Sequence, residues 1–176
     1  MSQVPFSAMV LGLRLAVERF KNAAKGTDPT AAALPLFESL NWTVALDERL
    51  QKDWVPDGPP PIGRDWPKRI GNEADAEAVR GIRFIRNRVH HQWAEALTLA
   101  EPVNRYPSRP FEWVWTAVDQ LPPPDPGRKD YGREGYEQLL EGQPAEFGLA
   151  ILLETYEFMT QLVESRGAPP KWSQTK

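Results

Sequence analysis

Arginines, an asparagine and both histidines of the chain crowd into one short stretch, Arg80-Gly81-Ile82-Arg83-Phe84-Ile85-Arg86-Asn87-Arg88-Val89-His90-His91-Gln92-Trp93. Guanidinium groups stay charged at any physiological pH and present donors in a fork that matches a phosphate. Imidazoles have an unperturbed pKa of about 6.5, so they gain or lose a proton near neutrality. Together these are the groups that cleavage of RNA demands. A base must remove the proton of a ribose 2′-hydroxyl, an acid must protonate the leaving 5′-oxygen, and fixed positive charge must stabilise the phosphorane-like transition state. Histidine supplies the proton transfers, worth roughly 10²- to 10⁴-fold. Arginine supplies the charge, and an amide such as Asn87 orients a histidine or holds a phosphate oxygen. Such a scheme requires no metal ion and no other cofactor.

Only a helix would bring these side chains to one place. With Arg83 at zero and about 100° per residue, Asn87 lies near 40°, His91 near 80°, His90 near 340° and Arg86 near 300°. The apolar residues Ala78, Ile82, Ile85, Val89, Trp93 and Ala96 fall between about 200° and 280°, a stripe suited to packing on other helices. Arg88, near 140°, and Phe84, near 100°, border the opposite edge. Arg83, Arg86, Asn87, His90 and His91 therefore share one face.

Plainer uses of the same residues stand beside that one. A basic helix face is solvated or paired with acids of a neighbouring helix, for which Asp47 and Glu48 are placed. A zinc site fits poorly, because adjacent histidines on a helix diverge by about 100° and a third ligand would have to be a distant carboxylate. Among the 7 tryptophans, Trp42 and Trp93 sit in helical segments where packing is expected. Trp54, Trp66, Trp113 and Trp115 sit in or beside proline-rich loops, where they fasten those loops to the core or line a site by stacking on bases.

Arg86-Asn87-x-x-x-His91-x-Trp93 resembles the signature of the HEPN superfamily, an arginine followed after four to six residues by a histidine, with Trp93 where tyrosine is common. Arg83 and His90 offer a second register. The resemblance makes Arg86, Asn87 and His91 the candidate catalytic residues, and Arg83, His90 and Arg88 the candidate substrate-binding residues. The resemblance implies an all-α bundle that dimerises so that the motif helices of two copies form one composite site. It implies metal-independent endoribonuclease activity on RNA, in many members as the toxin of a toxin–antitoxin or phage-defence system held in check by a cognate antitoxin protein. Other members are non-catalytic modules, so a nucleotide-, nucleic-acid- or protein-binding regulatory role is the alternative.

The elements that must position this helix are punctuated by prolines and glycines. Of the 18 prolines, most crowd residues 53–71 and 101–132, which read as two long loops. Helices are predicted over about 7–24, 35–52, 72–100 and 144–165, the third capped by Asn72 ahead of an acidic first turn and ended by Pro102. Phe111–Trp115 alternates like a short extended segment or hairpin, and a short helix is expected near 133–141. The apolar residues of the last helix spread so widely that it reads as a central core helix, or one that also packs against a partner. The fold class is therefore all-α: one up-and-down bundle of about four main helices over 1–176, with two long proline-rich loops.

Composition sets the outer bounds. The chain has 176 residues and no cysteine, which excludes disulfides, thiolate metal sites and cysteine catalysis and fits a reducing, cytoplasmic setting. A formal net charge of −3 confines any polyanion site to a local patch. The apolar N-terminal run is broken by Arg14 and flows into helical periodicity, so it reads as a first helix and not a signal peptide. No run approaches the roughly 18 apolar residues a membrane span needs, so no membrane association is expected.

Overall fold

The computed structural model describes residues 4–53, 73–92, 95–102, 110–124, 127 and 130–165. Of the loop expected over about 53–71 all but Asp53, together with Trp54, Trp66, the cap expected at Asn72 and Trp93, lies outside them.

The first helix, α1, runs from Phe6 to Ala23. Its buried stripe, Phe6, Val10, Leu13, Val17 and Phe20, recurs at three- and four-residue steps, as one face of a helix requires. A turn closed by the Gly26 amide donating to the Ala23 carbonyl (3.0 Å) leads into α2, Pro29–Asp53. This helix begins at Pro29, well before the predicted start at Pro35. The reason is local: the Asp28 carboxylate accepts the Thr30 amide at 2.9 Å, which makes Asp28 a cap and puts Pro29 at the first helical position, where no amide hydrogen is needed. Pro35 is carried inside the helix, and buried Ser39 and Thr43 return their hydroxyls to the carbonyls of Pro35 and Ser39.

The third helix, α3, spans Glu73–Gln92. Ala78, Ile82 and Ile85 are fully buried, as the wheel requires, but so is Phe84 on the other edge. The helix stops short of the predicted Ala100. Leu97–Ala100 forms strand β1 instead, paired antiparallel with β2, Glu112–Trp115, in the register Leu97↔Trp115 and Leu99↔Trp113. Tertiary pairing overrides the helical periodicity here. The extended segment expected at Phe111–Trp115 is thus half of a two-stranded ribbon.

On its other side β2 is held by the connection between the last two helices. Trp115 donates its amide to the Gln143 carbonyl at 3.0 Å and accepts the Gly142 amide at 3.0 Å. Trp115 is fully buried, and Trp113 donates Nε1 to the Gly26 carbonyl at 3.0 Å, so both tryptophans fasten this segment to the helices. A single 3-10 turn at Val118–Gln120 follows, then α4, Arg133–Leu139, and α5, Ala145–Ser165.

Helix α4 lies against α3 with almost no spacing. A Cβ on Gly81 would stand 2.9 Å from the Tyr136 backbone nitrogen, and Gly132 (φ 84°) abuts the Arg80 carbonyl. Helix α5 supplies the fully buried Leu149, Leu152, Tyr156 and Met159, joined in one cluster with Leu13, Phe20, Leu40, Ile82 and Trp115. Each such side chain contributes roughly 1.5–3 kcal/mol on burial. The all-α helical bundle read from the sequence is therefore the observed architecture, with the ribbon as a small addition. Among the described residues no helix is long and apolar enough to cross a membrane.

Candidate functional site

Val44, Asp47, Glu48 and Gln51 recur along one face of α2, and Arg80, Arg83 and Asn87 along one face of α3. The two faces, with Arg86, Tyr131 and Gly132, enclose a cleft of about 400 Å³. Three of the candidate residues, Arg83, Arg86 and Asn87, therefore line a single cleft.

Their roles separate by partner. Arg83 forms an ion pair with Asp47, whose side chain is only 5% exposed, and Asp47 also accepts from Gln51 Nε2 at 2.7 Å. Beneath this pair lies Tyr156, wholly buried, its hydroxyl donating to the Thr43 carbonyl at 3.2 Å. Burial drives its pKa well above the ordinary tyrosine range; negative Asp47 adds to the rise and Arg83 opposes it. Arg80 pairs with Glu77 one turn earlier on α3. The expected pairing of this face with an acid of α2 is thus realised at Asp47, for Arg83.

Arg86 differs from its neighbours. No carboxylate among the described residues pairs with it; its Nη1 donates only to Asn87 Oδ1, at a long 3.3 Å. Its Nε, like that of Arg83, is buried and makes no hydrogen bond to a described residue, so the missing carboxylate is what sets Arg86 apart. A buried donor left so costs about 1–3 kcal/mol. Such a group is primed for an anionic oxygen. Asn87 beside it is exposed to the cleft mouth.

Two of the residues assigned to substrate binding do not line this cleft. Arg88 is buried on another side of α3, where Nη1 donates to the Pro122 carbonyl at 2.8 Å, Nη2 pairs with Asp130 at 2.6 Å, and the guanidinium lies 5.1 Å above the Phe84 ring. It holds the segment before α4 against α3. The helix wheel gave its azimuth, near 140°, but not the element waiting there. His90 is half-buried between α3 and α2, with Nε2 2.6 Å from Asn41 Oδ1 and the ring stacked on Phe37 at 4.5 Å. His91 belongs to α3, four residues beyond Asn87, and its side chain lies outside the described residues.

Tyr131 and Gly132 were not singled out in the sequence. The available signal was the glycine: Asp130-Tyr131-Gly132 ahead of a helix is a turn in which the last residue takes positive φ. A second cavity, of about 560 Å³, lies between the start of α2 and the ribbon, with walls that include Leu34, Phe37, Leu97 and Trp113. Its apolar walls suit no phosphate. Comparison of the chain with protein-family models, with curated proteins and with solved structures finds no match.

Proposed function

We propose that this protein is a metal-independent endoribonuclease of the HEPN type, acting as a homodimer through the cleft between α2 and α3. Arg86 carries the proposal: it is a cleft guanidinium with a buried nitrogen to satisfy and no carboxylate partner among the described residues. It sits beside Asn87 and at the motif spacing from His91. His90, locked on Asn41 and Phe37, is less suited to proton transfer, which leaves His91 for that work.

In this reading the His91 imidazole takes the proton of a ribose 2′-hydroxyl. The freed oxygen attacks the adjacent phosphorus, the bond to the 5′-oxygen breaks, and that oxygen leaves with a proton. The products are a 2′,3′-cyclic phosphate and a 5′-hydroxyl. Arg86 stabilises the charge that builds on the non-bridging oxygens, and Asn87 orients the phosphate or the imidazole. Pairing of motif helices about a twofold axis would let His91 of the partner subunit act as the acid. An intracellular enzyme of this kind needs restraint, and the role of a toxin or phage-defence effector opposed by a cognate antitoxin protein fits it.

Arg86→Ala and His91→Ala should each abolish cleavage of RNA in EDTA while leaving the helical circular dichroism spectrum intact. Cleavage at the wild-type rate in both variants would overturn the assignment. A second reading, a non-catalytic RNA- or nucleotide-binding module, is favoured by the commitment of Arg83 to Asp47 and of Arg80 to Glu77. RNA would then remain whole, and its binding would weaken steeply with salt.

A further inference from the structure

The turn that closes the cleft carries an aromatic ring that the proposed chemistry does not use. Tyr131 is 61% exposed, yet it lines the same cleft as Arg86 and Asn87. Its backbone is firmly mounted. Gly132, at φ 84°, lets the chain press on the Arg80 carbonyl, an approach that any side chain would block. The Gly132 carbonyl accepts the Tyr136 amide at 3.0 Å, and the Asp130 carbonyl accepts the Arg133 amide at 3.2 Å. Buried Arg88 grips the Asp130 carboxylate at 2.6 Å from below. An exposed ring on a braced turn loses little freedom when something stacks on it.

We propose that Tyr131 is the base-stacking residue of this cleft, so that the ligand is a nucleotide of a single strand, its phosphate on Arg86 and its base against the phenol ring. The inference rests on the phosphate-binding reading of the cleft and adds the base to it. The volume, about 400 Å³, lies at the low end of small-ligand sites and suits one nucleotide unit. A base can offer its face to a side chain only when it is unpaired or flipped out, which selects single-stranded segments over duplex. Asp130 and Arg88 become positioning residues: they touch no ligand and hold the turn that does.

The test uses two fluorescent hexamers, a 2′-O-methyl oligouridylate, which cannot be cleaved through its blocked 2′-oxygen, and an abasic strand of the same length and charge. Tyr131→Ala should weaken binding of the oligouridylate roughly 5- to 150-fold, the range that loss of one stacked base implies. Tyr131→Phe should hold it within about twofold, and neither change should move the abasic strand. Asp130→Asn should weaken the oligouridylate alone, by less. Undiminished oligouridylate binding in Tyr131→Ala, with binding lost in Arg86→Ala, overturns the stacking role and leaves the phosphate site standing. Equal losses on both strands overturn it too, since the ring would then serve only the fold. Failure of the wild-type protein to bind either strand removes the phosphate reading and this inference together.

Discussion

Two arginines a single turn apart on α3 divide structure from chemistry. Arg83 neutralises Asp47, which is almost wholly buried, so Arg83→Ala would strand a carboxylate in the interior and should cost about 3 kcal/mol in urea unfolding. Arg86→Ala removes no such partner and takes away an unsatisfied buried donor, so it should leave the urea midpoint unchanged or raise it, even though activity disappears. Similar losses in stability from the two changes would show that Arg86 is also a structural group. This division was only partly legible in the sequence. Angular position put Arg83, Arg86 and Asn87 on one face, and acidic residues on α2 marked a potential partner. For Arg88 and His90 the wheel gave an azimuth but no neighbour: α4 and its preceding turn occupy one flank of α3, and Asn41 and Phe37 the other. Tyr131 enters from a separate segment, which local spacing cannot reveal.

Among the elements, α3 and α4 meet in backbone contact at Gly81, with the Phe84 and Tyr136 rings packed beside that crossing at 5.1 Å. Gly81→Ala would drive a methyl group to 2.9 Å from the Tyr136 amide nitrogen and the Leu140 side chain, and neither backbone can yield without shifting the other helix. The expected penalty is about 1–3 kcal/mol by chemical denaturation, together with weaker RNA binding as the Tyr131 turn moves. Full stability in that variant would show that the crossing is looser than its geometry. Helix existence was the legible part of the fold. The cores of α1, α2, α3 and α5 follow apolar periodicity, and the short α4 was expected where it lies. Boundaries followed other rules. Asp28 and Pro29 started α2 early by capping chemistry, and a partner strand distant in sequence took Leu97–Ala100 out of α3. The first of these was readable in retrospect; the second depends on a tertiary contact.

For the whole molecule, two buried tyrosines set a limit on the alkaline side. Burial first, and then nearby Glu141, push Tyr136 above its ordinary value of 10.0; burial and Asp47 do the same for Tyr156. Both groups hold their protons more tightly in the folded chain than in the unfolded one. Their contribution is therefore complete below about pH 10 and is lost as pH rises beyond it, by at most about 1.4 kcal/mol per pH unit for each tyrosine. Urea midpoints should fall steeply above pH 10, and Tyr156→Phe should reduce that slope. An unchanged slope would place the alkaline transition elsewhere. Charge pairs on the surface, such as Arg14 with Glu157 and Arg19 with Glu38, bear little on this balance, since each contributes at most about 1 kcal/mol. The ribbon bears on a different property. Strand β2 pairs with β1 on one side and with residues 141–144 on the other, and Trp113 reaches back to the turn after α1. Three segments far apart in sequence must meet before that strand has a place to lie. Local helices form quickly, whereas closing long loops is slow. The ribbon is therefore expected to form after the elements it joins, so in pulse-labelled refolding the Trp115 amide should gain protection later than the amides of α1; simultaneous protection would sink that order.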